Sequence, residues 1–200
     1  MTEDVFFKTQ ITKIFTDKVT VIDIGGGLRI DPEKNNRSRE NEWLVPLKEK
    51  VSYKVLDKVA DYHPDIVGDI HNLPFPDNSV DALVCISVLE HVEEPQKAVR
   101  EMHRVLKPGG YCYIYAPFLF YYHPEKGYYG DYYRFTVEGI KYMTRDFSSV
   151  EVRNAKGALA TVMNLFPALS KKVSFFSWLD SLLGKADSNQ TSGYHAFCVK

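Results

Sequence analysis

Two groups of residues in this chain have types and spacings that suit chemistry. The first is a series of acids at the ends of short apolar, β-branched runs. Asp23 lies in Val21-Ile22-Asp23-Ile24, just ahead of Gly25, Gly26 and Gly27; Asp57 closes Tyr53 to Leu56; Asp69 closes Asp65-Ile66-Val67-Gly68. Consecutive glycines adopt positive φ and let a ligand lie directly on the backbone. A carboxylate at a strand end can accept both hydroxyls of a ribose, and one at the next strand end can accept from an exocyclic amine. Each acid alone reads equally as a cap or a solvated side chain. The glycines do not complete the dinucleotide pattern GxGxxG, because its last position is Ile30.

The second group runs from Pro117 to Thr136. Phe118, Phe120, Tyr121, Tyr122, Tyr128, Tyr129, Tyr132, Tyr133 and Phe135 surround His123, Asp131 and Arg134. So many rings make a poor exposed linker and a reasonable lining for an organic pocket, although some would serve only to cover a sheet. His123, with a reference pKa of about 6.5, is the candidate general base. Asp131 would orient it, bind a substrate hydroxyl, or pair with Arg134. Arg134 would offer its planar fork to a phosphate or carboxylate, or close a structural ion pair with Asp131. His91 ranks below His123, since Glu90-His91 also suits the start of a helix. His63, His71, His103 and His195 have no ligand spacing. Cys85, Cys112 and Cys198 form no CxxC pair, so neither a disulfide framework nor a metal site is expected. Neither a GxSxG elbow nor a Walker loop occurs, which leaves hydrolase and kinase readings without support.

These residues need a scaffold, and the apolar pattern supplies one. Val5, Ile11, Ile14 and Phe15 mark a first helix. Short strands are expected over Val19 to Ile24, Tyr53 to Leu56, around Ile66 and Val67, over Ala82 to Ile86 and over Tyr111 to Ala116. Ala98, Val99, Met102, Val105 and Leu106 step by three and four after Pro95, and Lys107-Pro108-Gly109-Gly110 stops that helix. Asp31 to Glu42 reads as a surface loop. Strands separated by helices or long crossovers imply a mainly parallel α/β sheet covered on both faces, with ligands beyond the strands' carboxyl ends. Thr136 to Phe147 reads as a helix, with strands over Ser149 to Val152 and Tyr194 to Val199.

The 200 residues fit one domain. A composition of 44% hydrophobic and 26% charged residues supports a folded core, and the formal net charge of −1 gives no broad attraction to nucleic acid. No apolar run reaches the roughly 18–20 residues of a membrane span, and Met1 to Lys18 lacks the apolar core of a secretion signal. A cytoplasmic location is the expectation.

In order, Val21-Ile22-Asp23-Ile24-Gly25-Gly26-Gly27, Asp57, Gly68-Asp69 with Leu73-Pro74-Phe75-Pro76-Asp77-Asn78-Ser79, Val88-Leu89-Glu90-His91-Val92 and Glu101 to Gly110 resemble the class I S-adenosylmethionine-dependent methyltransferases, in the small-molecule branch called methyltransferase type 11. The resemblance covers about residues 19 to 118. It implies a Rossmann-like, doubly wound, mainly parallel seven-stranded sheet with an antiparallel last strand, and S-adenosyl-L-methionine as cofactor. It implies that Gly25, Gly26 and Gly27 pass under the methionine part, that Asp57 holds the ribose, and that Asp69 with the Ile70 backbone recognises adenine. Asp23 would orient the glycine loop or reach the methionine ammonium. The family's D-x-G-x-G-x-G is broken here at its last glycine by Arg29.

The resemblance makes residues 1–200 one methyltransferase domain, with 154–193 as a helical insertion or lid before the last strand. Within it Phe175, Trp178, Leu179 and Leu182 form an apolar helical face, read first as a lid or packing layer, then as a peripheral membrane contact or homodimer contact through 173–183. The segment from Pro117 to Thr136 also looks like a subgroup acting in glycan and lipid-linked sugar synthesis. The expected reaction is methyl transfer to oxygen, and in second place to nitrogen or carbon, of a small-molecule or lipid-linked, glycan-type acceptor. A noncatalytic cofactor-binding or scaffold protein is the second reading, and a dinucleotide oxidoreductase the third.

Overall fold

The computed structural model describes residues 3–30, 39–166 and 173–200. In chain order, helix α1 (Glu3–Asp17) leads into strand β1 (Thr20–Ile24). A 3₁₀ turn at Arg39–Leu44 and the short helix α2 (Val45–Lys48) then precede β2 (Ser52–Asp57), β3 (Ile66–Val67) and β4 (Val80–Ile86). Helix α3 (Pro95–Val105), β5 (Leu106–Pro117), α4 (Val137–Met143), β6 (Ser149–Asn154), α5 (Ala158–Asn164), α6 (Val173–Leu182) and β7 (Gly193–Val199) follow. The strands form one sheet in the order β3-β2-β1-β4-β5-β7-β6. Neighbours from β3 to β5 are parallel, and β7 is antiparallel to both β5 and β6. This is the expected α/β, doubly wound sheet with its antiparallel last strand.

Strand alternation divides the core in two. Ile22, Ile24, Leu83 and Cys85 face α3 and α4, where Ala98, Val99, Met102, Val105 and Ile140 are buried. Val21, Ala82, Val84 and Tyr113 face α1, which contributes Phe6, Ile11, Ile14 and Phe15. Val5, expected on that apolar side, is exposed, and Phe6 takes the inward place beside the rings of Tyr113 and His195. Helix α3 ends as expected at Val105, with Pro95 in its first turn.

The strand after α3 begins earlier than its sequence suggests, at Leu106. Pairing with β4 shifts register between Val80 and Ala82, and a Cβ on Gly110 would come 2.7 Å from the Lys107 carbonyl. Lys107-Pro108-Gly109-Gly110 therefore bends a strand as well as ending a helix. Helix α4 is shorter than expected, and Thr136 caps it by accepting the Gly139 N–H at 3.1 Å. Of the expected surface loop at 31–42, residues 31–38 lie outside the described residues, and its end is the 3₁₀ turn.

Helix α5 was not legible in the sequence, because it is held from outside. The buried Asp180 of α6 accepts the N–H groups of Leu159 and Ala160, both at 2.9 Å, in place of a local cap. A Cβ on Gly157 would lie 2.5 Å from that carboxylate. Asp180→Ala should therefore cost about 1–2 kcal/mol. Hydrogen exchange should quicken over 158–164 while the β1, β4 and β5 ladder keeps its protection; uniform loss across the sheet would contradict a local stitch.

Candidate active site

Beyond the carboxyl ends of β1, β2, β3 and β4, where the strand order reverses, lies a cavity of about 520 Å³. Gly25, Asp57, Asp69, Ile70, Val88 and His91 are among its walls.

Gly25 has φ +76, and its N–H donates to the Leu56 carbonyl at 2.8 Å. A Cβ there would stand 2.5 Å from Val88 Cγ2. A Cβ on Gly27 would stand 2.7 Å from the Ile86 Cβ. Two of the three glycines thus allow the turn after β1 to lie against the end of β4. Gly26 and Gly27 are not among the cavity walls; they shape the turn that exposes Gly25. Arg29 keeps the left-handed conformation, at φ 50, where the resemblance expects glycine.

Asp23 points to the α1 face and is fully buried. Its Oδ2 accepts the Leu28 N–H at 3.0 Å and the Tyr53 hydroxyl at 2.6 Å, while Oδ1 has no hydrogen-bond partner among the described residues. This is the geometry of a loop anchor, and Asp23 does not reach the cavity wall. Burial pushes its pKa up to about 7, against the opposing hydrogen bonds.

Asp57 is half-buried at the cavity wall and accepts the Val59 N–H at 2.8 Å. Burial raises its pKa, and backbone N–H groups oppose the rise. Asp69 is already engaged: Oδ1 meets the His71 N–H at 2.9 Å and His71 Nδ1 at 2.7 Å, and Oδ2 pairs with Lys58 at 2.9 Å. Burial pushes its pKa up, but the His71 N–H, Lys58 and the His71 ring outweigh it and hold it at about 2. Lys58 and Ser87 also line the cavity and were missed in the sequence. Ser87 carries φ 54 at the end of β4, a conformation its side chain gives no hint of.

The segment from 118 to 136 has no helix or regular strand; one isolated bridge joins Glu125 to Tyr129. Arg134 holds it together. Its guanidinium meets both Asp131 oxygens, at 2.5 and 2.8 Å, and donates to the carbonyls of Phe120, Tyr121 and Tyr133. Arg134 holds the Asp131 pKa down to about 2, burial opposing. Of the readings open in the sequence, the structure shows the ion pair, turned inward.

His123 donates its backbone N–H to Asp131 Oδ2 at 2.8 Å, and its Nδ1 lies 2.9 Å from the Tyr121 carbonyl. His123, Asp131 and Arg134 thus lie together, one layer behind the cavity wall. His91 occupies that wall, 4.8 Å from His123 between ring centroids, with Nδ1 2.7 Å from the Gly130 carbonyl.

Beside both imidazoles lies Glu90, which sequence reasoning treated only as a helix start. It is fully buried, and neither carboxylate oxygen has a hydrogen-bond partner among the described residues. Burial pushes its pKa up to about 8. The available signal was its place in Leu89-Glu90-His91-Val92, one residue from a cavity-lining histidine.

A family model described as a methyltransferase domain matches residues 13–114. With the glycine turn and strand-end acids in that interval, the chain belongs to the methyltransferase domain family. Among curated relatives, a demethylmenaquinone methyltransferase of Paenarthrobacter aurescens is 58% identical over 45 residues, 22% of this chain and 18% of that protein. A 2-methyl-6-phytyl-1,4-hydroquinone methyltransferase of Oryza sativa is 30% identical over 114 residues, 52% of this chain and 31% of that protein. The matches therefore span less than a third of these relatives' lengths. A solved S-adenosylmethionine-dependent methyltransferase of Archaeoglobus fulgidus has 14% identity and a TM-score of 0.62, over 98% of this chain and 92% of that one. One from Thermotoga maritima, described as a possible histamine N-methyltransferase, has 16% identity and a TM-score of 0.55, over 96% and 88%. These likenesses establish a shared fold. No helix among the described residues is long and apolar enough to cross a membrane.

S-adenosylmethionine is the cofactor this family and fold imply, and the cavity fits it. Gly25 packs on Val88 and sets bare backbone into the wall, Asp57 lines the cavity as a carboxylate acceptor for a diol, and Ile24, Leu56 and Ile70 give apolar contact for a base.

The raised Asp23 pKa makes a pH prediction. The folded state keeps that proton from the unfolded value of 3.8 up to about 7, so ionising Asp23 opposes folding across that window. Its contribution to stability falls as pH rises from about 4 to about 7 and is level above. Asp23→Asn should gain stability relative to the parent across that interval in urea melts; a difference independent of pH would show that Asp23 is already ionised when folded.

Proposed function

We propose that the chain transfers a methyl group from S-adenosylmethionine to a small-molecule or lipid-linked acceptor, at an oxygen. The observation that carries this reading is the shared cavity wall of Gly25, Asp57, Asp69 and Ile70 at the reversal of strand order.

When bound, S-adenosylmethionine supplies a methyl carbon activated by its sulfonium, so the protein's task is alignment and exclusion of water. Asp57 accepts the ribose hydroxyls. Asp69, pre-positioned by Lys58 and His71, fixes with Ile70 the edge that reads the adenine. Asp23 holds the glycine turn through Leu28, and Gly25 admits the methionine part. On the acceptor side, His91 with Tyr129 and Tyr132 walls the cavity, and ring faces favour a cationic sulfur. His123, Asp131 and Arg134 act from behind that wall as positioning residues, keeping the segment in place.

The two relatives named above carry quinone- and hydroquinone-type names, the second with a phytyl tail. An aromatic acceptor with an apolar tail suits this ring-rich segment and the exposed Phe175, Trp178 and Leu182 of α6. A glycan-linked lipid would share the apolar tail.

One observation favours a noncatalytic cofactor-binding protein: Arg29 stands where the family's last glycine would lie. Calorimetry and labelled transfer separate the readings. S-adenosylhomocysteine should bind one to one, and Asp57→Ala should weaken it at least tenfold, about 1.4 kcal/mol. Binding of NAD instead would overturn the proposal. Methyl-labelled donor incubated with a lipid and metabolite extract should yield a labelled product; binding without transfer to any compound would favour the noncatalytic reading.

A further inference from the structure

Glu90, His91 and His123 converge on one point between the 3₁₀ turn Leu89–His91 and the segment from 118 to 136. One ligand atom from each lies within 4.8 Å of the others. Glu90 Oε1 is 3.9 Å from His91 Nε2 and 3.8 Å from His123 Nε2. These are too long for hydrogen bonds and close to what an ion between them requires. Tetrahedral bonds of about 2.05 Å separate neighbouring ligands by roughly 3.3 Å, so each Glu90–histidine pair must close by roughly half an ångström and the two imidazole nitrogens, within 4.8 Å, by up to roughly 1.5 Å.

The imidazoles are already oriented for such a role. His91 Nδ1 faces the Gly130 carbonyl at 2.7 Å, and His123 Nδ1 faces the Tyr121 carbonyl at 2.9 Å with Asp131 Oδ2 at 3.3 Å. A carbonyl only accepts, so both rings carry their proton on Nδ1 and turn the Nε2 lone pair toward Glu90. Histidine ligands of metal sites are held in this way, by a carbonyl or carboxylate at the far nitrogen.

The second observation is Glu90 itself. Its side chain is 1% exposed, yet both oxygens lack hydrogen-bond partners among the described residues. A buried carboxyl group with neither oxygen paired is costly in either protonation state, and a cation between it and two imidazoles would satisfy it in the ionised form. Arg134, the nearby permanent cation, is occupied by Asp131 and three carbonyls. His123 is 26% exposed, which leaves a side open for an ion and a water ligand.

We propose that Glu90, His91 and His123 form a site for one divalent transition-metal ion of the zinc class. Two imidazoles and one carboxylate suit Zn²⁺, Co²⁺, Ni²⁺ or Fe²⁺ over Mg²⁺ or Ca²⁺, which take oxygen ligands. The ion ties the ring-rich segment to the end of β4, and His91 places it beside the cavity. The site stands on these three side chains and does not require the methyl-transfer reading.

The test uses full-length protein stripped with a chelator, then titrated with Zn²⁺ by calorimetry and with Co²⁺ by visible absorption. One ion per chain should bind at micromolar concentration or below, Co²⁺ should show the intense ligand-field bands of a low-coordinate site, and Zn²⁺ should raise the melting temperature. Glu90→Gln and His123→Ala should each weaken Zn²⁺ at least tenfold, while His103→Ala should leave it unchanged. Absence of one-to-one binding, or affinity unchanged in both site variants, overturns the proposal. If a variant does not fold, judged by circular dichroism, acylation of the parent's histidines decides. Zn²⁺ should shield His91 and His123 from diethylpyrocarbonate, and shielding of other histidines alone overturns the site.

Discussion

The structure depends on how closely the turn after β1 lies against the end of β4. Val88 and Ile86 occupy the space that side chains at 25 and 27 would need. That approach sets Gly25 in the same cavity wall as Asp57 and Asp69. The same approach explains why Asp23 is buried: it fastens the turn from below through Leu28, while Tyr53 satisfies the same oxygen from the next strand. A fully buried acid is tolerated there because the Leu28 N–H and the Tyr53 hydroxyl both donate to it.

The segment from 118 to 136 is organised on a different principle. Residues 118–136 lack a regular backbone ladder; their ends are tied to Ser192, Thr191 and Pro117 by backbone bonds, and within them one guanidinium draws three carbonyls and a carboxylate to itself. Planar, multidentate arginine suits this task better than lysine. The Glu90 carbonyl adds a second anchor by accepting from Tyr132 and Tyr133. An irregular segment fixed at a few polar points can vary its ring contents while keeping its path.

Much of this was legible in the sequence where a residue's neighbours along the chain determine its environment. Asp57 ends β2, Asp69 follows two residues after the end of β3 where the sequence reading had it close the strand, Gly25 begins a turn, and the three- and four-residue steps of α3 give its buried face. What escaped were arrangements made between distant residues. Asp180 caps a helix more than twenty positions upstream of the end of α6, so α5 showed no capping signal of its own. Glu90 resembled a helix start, and only the fold brings His123 to it. Arg134 offered a ligand and a structural role equally, and its choice rested on the path of the carbonyls around it. The fold was thus more readable than the site, since a site is made of meetings that spacing does not record.

Strands β6 and β7 are antiparallel neighbours that a tight turn could have joined. The chain instead makes α5 and α6 between them, bound to each other through Asp180. Their length and surface can change without rethreading any strand or shifting the register of the sheet. The fold therefore carries, beside its sheet edge, a helical pair fastened to itself by a buried acid and set apart from the strand ends that wall the cavity.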